Sequence, residues 1–330
     1  MAAITLGLCA SHTPLLTLTP EQWQHRAAAD LANRELNLSD GRFLSYEQLL
    51  AEVGPRYAEA ATHEVLARKE AACQAALDRL ADALEQAAPD VVLIVGDDQR
   101  ELFSAANQPA VAIYHGAEVA MMAKYAGEEK PQWVRDMGRG YWMDAAHRIP
   151  GAPELALSLI RGLMDRDIDV ASVARIDDPA TAAFGHAYGF IVKRLFRGRA
   201  IPVVPVLLNT YYPPNVPSAR RCHDIGLAIA QVLKSLPHSL RVAVIGSGGL
   251  SHFVVDEALD RRVMAAIASG DHSALREIPR EALNSGSSEI LNWVLTAGAA
   301  AELAPRWQAY QPIQRTPAGT GVGAAFAIWG

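Results

Sequence analysis

Three of the ten histidines, His12, His186 and His252, stand beside glycine and serine rather than within charged surface stretches. An imidazole has an unperturbed pKa near ~6.5, so it can take and return a proton at neutral pH or ligate a metal. Two acidic positions could act with them: Asp97-Asp98, within Gly96-Asp97-Asp98-Gln99-Arg100-Glu101, and Glu289, within Ser285-Gly286-Ser287-Ser288-Glu289. Each has an ordinary reading beside the chemical one. Asp97 and Asp98 serve equally as metal ligands or as charges at a helix start, and Glu289 as a ligand or as a carboxylate stabilising a helix N-terminus. The run Gly246-Ser247-Gly248-Gly249-Leu250-Ser251-His252 is rich in glycine but contains neither GxGxxG nor a GK[ST] ending. Ser247 and Ser251 do not form GxSxG, so a nucleophile elbow is not supported. His63 and His115 read as structural.

These residues need elements to carry them. Short apolar runs at Ile4–Cys9, Val91–Val95, Ala110–Tyr114, Val170–Val173, Ile201–Leu208, Arg241–Ile245 and Gly323–Ile328 read as strands. Amphipathic stretches Glu154–Met164, Phe184–Phe196, Ala219–Leu233 and Asp256–Ala268 lie between several of them. That alternation predicts an α/β fold, a mainly parallel or mixed central sheet with helices on both faces. His12 and His252 then fall just past strand ends and His186 in a connection following one, at the edge where open α/β sheets bind ligands. From about Thr19 to Ala88 no strand pattern occurs. Thr19-Pro20-Glu21-Gln22 and Ser45-Tyr46-Glu47-Gln48 are capping boxes, and a long alanine-rich helix spans roughly Arg56 to Gln86. We read residues 1–330 as one α/β domain with a helical insertion over about 19–88.

Half the residues are hydrophobic and 20% are charged, enough to bury a sizeable core. A net charge of −6 gives no electrostatic footprint for nucleic acid or an anionic membrane, and neither is an expected partner. The apolar run Ala200–Leu208 is far below the ~20 residues that cross a bilayer. Cys9, Cys73 and Cys222 are far apart and form no CxxC, so they read as reduced thiols. The N-terminal segment lacks the basic region and cleavage pattern of a signal peptide, and a cytoplasmic protein is expected.

The segments Ser11-His12-Thr13-Pro14, Val91–Val95 with its polar end, Gly185-His186, Asn209 through Pro214, Gly246 through His252 and Ser285 through Trp293 occur together and in this order. They resemble the class III extradiol ring-cleaving dioxygenases, the family of the protocatechuate 4,5-dioxygenase catalytic subunit. SHTP, GDDQRE, GHAYGF and LNTYYPPN look most like the 3-O-methylgallate dioxygenase branch. The resemblance covers the chain except the Thr19–Ala88 insertion.

What it implies is specific. The family holds Fe(II) through two histidines and a glutamate, leaving positions for a diol and dioxygen. The first histidine falls on His12 and the glutamate on Glu289. Gln99 stands where the second histidine aligns; it could ligate through its amide oxygen, or Asp98 or His147 could supply the third ligand. His252 matches the acid/base, and His186 the second histidine near substrate and oxygen. The implied substrate is a small aromatic acid such as 3-O-methylgallate, consumed with O2. Tyr188, Tyr211 and Tyr212 offer it hydroxyls and ring faces, and Arg100 and Arg148 are the candidate carboxylate partners. Family members form dimers, some with a small helical subunit over the site, a place the insertion could take. Two other readings are a metal-dependent hydrolase on the same scaffold and, on the strength of Gln99, a metal-free binding protein.

Overall fold

The structure, a computed structural model, describes residues 2–237 and 239–330. In chain order the strands are β1 (Ala3–Ala10), β2 (Leu36–Asn37), β3 (Phe43–Leu44), β4 (Val91–Asp97), β5 (Val111–Tyr114) and β6 (Glu118–Ala120). They continue with β7 (Arg148–Pro150), β8 (Ala171–Val173), β9 (Val203–Leu208), β10 (Arg241–Ser247), β11 (Pro305–Gln314) and β12 (Gly321–Trp329). Helices are α1 (Trp23–Leu31), α2 (Tyr46–Val53), α3 (His63–Ala87), α4 (Gln132–Gly140) and α5 (Pro153–Met164). After them come α6 (His186–Leu195), α7 (Ala219–Ser235), α8 (Glu257–Ser269), α9 (His272–Arg276) and α10 (Ile290–Ala299).

Eight strands form one sheet in the order β11-β12-β1-β10-β4-β9-β5-β8. The centre, β1, β10, β4 and β9, is parallel, whereas β12 runs against β1 and β5 against β9. Side chains alternate across it, as a pleated strand requires. Val91, Leu93 and Val95 join Val204, Val206, Val242 and Val244 in a core closed by α5, α7, α8 and α10. Val92 and Ile94 join Ala243 and Ile245 in a second core, under α3 and α6. A strand buried on both faces reads as a continuous apolar run, which is why Val91–Val95 carries no polar residue.

The helices begin where local chemistry supplies acceptors for their free N–H groups. Ser218 caps α7, Asp256 caps α8 through the N–H groups of Ala258 and Leu259, and Ser45 with Gln48 completes a capping box at α2. The box at Thr19 is half formed. Gln22 Oε1 accepts from the Thr19 N–H, but helical geometry starts only at Trp23.

Three expectations change. The insertion is not wholly helical, since β2 and β3 pair as a short hairpin between α1 and α2. Its long helix starts at His63, seven residues after Arg56, because residues 54–60 form turns opened by Gly54 at φ 61° and Pro55. The ten-residue strand β11 is additional. Pro305 and Pro312 argue against a strand in sequence, yet β11 is the sheet edge, where a missing N–H costs no ladder bond.

The insertion is fastened to the sheet by a buried ion pair. Asp30, on α1, accepts from Arg315 Nε at 2.5 Å and Nη2 at 2.8 Å, and from Thr320 Oγ1 at 2.7 Å. Both partners lie in the β11–β12 turn. Removing Asp30 leaves a guanidinium buried without a counter-charge, so Asp30→Ala is expected to cost ~3–5 kcal/mol in urea unfolding. Asp40→Ala, which breaks the exposed Arg42 pair, is the control and is expected to leave the transition where it is.

Candidate active site

Strands β1, β10 and β4 are adjacent and parallel, so their C-terminal ends open on one edge of the sheet. His12 lies just past β1, Asp97 ends β4, and the chain after β10 carries Gly249 and His252. Glu289 ends a short 3-10 segment, Ser285–Glu289, that leads directly into α10. His186 opens α6. Close approach fixes two glycines here. A Cβ on Gly286 would fall 2.2 Å from the His252 ring, and one on Gly185 2.6 Å from the Glu101 carboxyl carbon.

His12, Asp97 and Glu289 converge, each offering one donor atom within 4.8 Å of the others, and all three are buried. The hydrogen bonds around His12 define its tautomer. The Ser247 hydroxyl gives its one proton to the Ala187 carbonyl at 2.6 Å, so toward His12 Nδ1, at 2.9 Å, it accepts. Nδ1 therefore carries a proton, and Nε2 is turned to Glu289 Oε2, 3.4 Å away. Metal-binding histidines are oriented in this way, through the ring nitrogen that does not ligate.

Glu289 accepts from the Gly249 N–H at 2.7 Å and the Tyr211 hydroxyl at 2.8 Å. Burial pushes its carboxyl up, but His252 and His12 outweigh burial and hold it well below the usual carboxylate range. Asp97 moves the other way, raised by burial and by the Glu289 charge. Gln99 bridges the pair through its amide nitrogen, 3.1 Å from Asp97 and 3.4 Å from Glu289. Among the described residues neither carboxylate meets a lysine or arginine. Two buried carboxylates and an imidazole with no lysine or arginine beside them suit a divalent metal ion, which would add positive charge there.

The other two histidines flank the cluster. His252 Nδ1 donates to the Leu250 carbonyl at 2.8 Å, which leaves Nε2 directed at Glu289 Oε1, 3.3 Å away. Burial lowers its pKa, but Glu289 reverses that and the net direction is upward. His186 sits edge-on to His12, with ring centroids 4.7 Å apart and its Nδ1 3.5 Å from Glu101 Oε1. Burial acts against its charged form too, and Glu101 overcomes it. Glu101 itself is pushed up by burial and brought down to about 2 by His186 and Lys124. The loop holding His252 is clamped from the insertion, where Asn37 donates to the His252 carbonyl and accepts from the Phe253 N–H, both at 3.0 Å.

A cavity of about 230 Å³ covers the cluster, lined by His12, Gln99, His186, Tyr211, His252 and Glu289 among others. Several expected participants lie outside it. The Asp98 carboxylate accepts from the Leu102 and Phe103 N–H groups and turns away; burial raises its pKa to about 6. Strand parity explains the exchange. Asp97 continues the face of Leu93 and Val95, which carries α10 and Glu289, and its neighbour points oppositely. His147 pairs with Asp144 and stacks on Trp142. Tyr188 is core, its hydroxyl donating to the Gly96 and Val206 carbonyls. Arg148 is exposed and paired with Glu118, and Arg100 lies over the Tyr212 ring, with neither Arg100 nor Tyr212 lining the cavity. His63 is exposed beside Glu21 and His115 bonds Ser172.

The cavity instead receives Glu101, Lys124, Tyr141, Arg26 and Arg315. The parity of β4 pointed to Asp97. Nothing in the sequence separates the others from ordinary surface or core residues, because they arrive from α1, the residue that ends α4, and loops whose packing is non-local.

The fold and site define an α/β protein with a buried imidazole–carboxylate cluster and two flanking histidines at the C-terminal edge of its parallel strands. Residues 60–323 match the family described as catalytic LigB subunit of aromatic ring-opening dioxygenase, and the chain belongs to that family. Among similar proteins is a 2,3-dihydroxyphenylpropionate/2,3-dihydroxicinnamic acid 1,2-dioxygenase of Comamonas testosteroni, 28% identical over 52% of this chain and 45% of that protein. One of the same name from Burkholderia vietnamiensis is 31% identical over 57% of this chain and 50% of its own length. Another, from Paraburkholderia phymatum, is 36% identical over 36% of this chain and 35% of its own. The chain thus spans half or less of the length of these curated relatives. None of the three carries the 3-O-methylgallate name.

Asp97→Asn is expected to weaken binding of a divalent ion by more than the ~10–100-fold typical of residues that only orient a ligand. Asp98→Asn is expected to leave it unchanged. Anaerobic competition titration against a chromogenic chelator measures both, and a reversed order would return the third donor to Asp98.

Proposed function

We propose that this protein is an Fe(II)-dependent extradiol dioxygenase that opens the ring of a small aromatic acid bearing adjacent oxygens, with incorporation of O2. Family membership supports the reaction class. The observation that carries the reading is the convergence of His12, Asp97 and Glu289 beside two more histidines that line the same cavity. Its volume of about 230 Å³ exceeds the ~150 Å³ that accommodates benzene, leaving room for one substituted ring.

In this reading His12, Asp97 and Glu289 hold the metal, with Gln99, whose amide already touches both carboxylates, as a further donor. Fe(II) held there would supply the orientation of diol and dioxygen and the electron-transfer chemistry between them. The chain's own groups manage protons. His252 Nε2 receives a diol proton, since its other nitrogen is committed to the Leu250 carbonyl. His186, held toward its charged form by Glu101, is the proton donor on the oxygen side. Tyr211 holds Glu289 by its hydroxyl and presents its ring to the cavity. Buried, unpaired thiols at Cys9, Cys73 and Cys222 fit a reducing compartment, and we place the protein in the cytoplasm. Among the described residues no helix is long and apolar enough to cross a membrane.

Oxygen uptake by Fe(II)-loaded protein is the direct test, with 3-O-methylgallate, gallate, protocatechuate, 2,3-dihydroxyphenylpropionate and catechol. At least one of the acids is expected to be consumed with one O2 and lost aromatic absorbance; no uptake with any removes the assignment. His252→Ala is expected to reduce turnover ~10²–10⁴-fold while retaining metal, and loss of the metal instead would make His252 structural. Gln99→His is expected to tighten Fe(II) binding. Unchanged affinity in the same titration would take position 99 out of the donor set.

A further inference from the structure

Three cations line the cavity, Arg26, Lys124 and Arg315, and two of them are already engaged. Lys124 lies 3.2 Å from Glu101, and Arg315 is neutralised by Asp30. Arg26 is different. It is only partly buried, it lines the cavity, and among the described residues it forms no ion pair or hydrogen bond. Asp30 stands one helical turn further along α1, so both side chains lie on the same face of that helix. The Asp30–Arg315 pair therefore anchors the face that presents Arg26.

A second, independent feature lies in the same cavity. The Tyr141 hydroxyl is buried and has no hydrogen-bond partner, in a residue only 2% exposed. Burying a hydroxyl unpaired is unfavourable, and such a group in a cavity wall is satisfied when a ligand supplies the acceptor. The ring of Tyr141 lies 5.2 Å from that of His186, which ties it to the reaction end of the site. Burial and Tyr125 push its hydroxyl up, while Arg26, in the same cavity wall, draws it down. One unpaired cation and one unpaired hydroxyl donor in the wall of a one-ring cavity complement a carboxylate.

We propose that Arg26 and Tyr141 form the subsite for the carboxylate of a monocyclic aromatic acid whose diol end lies at His12, Asp97 and Glu289. The assignment rests on the ring-opening reading above and adds its specificity determinant, with Arg26 supplied by the insertion and Tyr141 by the end of α4. It replaces Arg100 and Arg148, which lie outside the cavity.

Oxygen uptake with 2,3-dihydroxyphenylpropionate and the neutral 4-methylcatechol, on wild type, Arg26→Gln, Arg26→Lys and Tyr141→Phe, measures the preference for the acid. A charge-assisted hydrogen bond corresponds to roughly 10–150-fold, and Arg26→Gln is expected to lower the acid-to-neutral ratio of kcat/KM by that factor, chiefly through KM. Arg26→Lys should recover part of the ratio, and Tyr141→Phe should lower it less than Arg26→Gln. An equal loss on both compounds, or none, overturns the subsite. Calorimetric binding of 3-phenylpropionate, an acid without a diol, separates this outcome from failure of the dioxygenase reading. If no compound is oxidised but 3-phenylpropionate binds and Arg26→Gln weakens it, the subsite stands and the reaction does not. If oxygen is consumed but acid binding is indifferent to Arg26, the reaction stands and the subsite falls.

Discussion

Two carboxylates buried side by side dominate the energetics of this site. Asp97 and Glu289 cannot both keep their charge in a dry pocket unless something positive or hydrogen-bonding answers them. The surroundings supply part of that answer: the Gly249 N–H and Tyr211 hydroxyl on Glu289, and the Asn292 amide on Asp97. Gln99 spans both. The outcome is unequal: His252 and His12 hold Glu289 down, while burial and the Glu289 charge raise Asp97. A divalent ion is the natural complement, and the rest of the edge is arranged around the place it would take.

The three imidazoles differ by what their Nδ1 atoms meet. In His12 that atom meets a serine hydroxyl already committed as a donor, and in His252 a backbone carbonyl that can only accept. Both rings therefore turn Nε2 to the same carboxylate. The Nδ1 of His186 meets the Glu101 carboxylate instead, and the charged forms of His186 and His252 are both favoured, by Glu101 and Glu289 respectively. One residue type thus acquires different duties from second contacts alone.

The insertion completes the site rather than decorating it. Asn37 holds the chain on either side of the His252–Phe253 peptide, α1 brings a free guanidinium to the cavity, and the Asp30–Arg315 pair locks that helix to the sheet edge. The family match spans residues 60–323, so Arg26 and Asn37 lie outside the matched part of the chain.

Elements governed by local physics were legible in the sequence. The buried runs of β1, β4, β9 and β10, the amphipathic α5 and α7, and the Ser45 capping box depend on pattern and neighbours close in the chain. His12, His186, His252 and Glu289 were legible as strand-end and helix-start residues and by resemblance. What tertiary structure decided was everything set by contacts between distant segments. It chose Asp97 over Asp98 by strand parity, sent Tyr188 into the core, and spent Arg148 on a surface pair. It also drew Tyr141, Lys124 and Arg26 to one cavity. Sequence records which groups a chain owns and their local geometry; which of them share a dry space depends on long-range packing that leaves no local period to read.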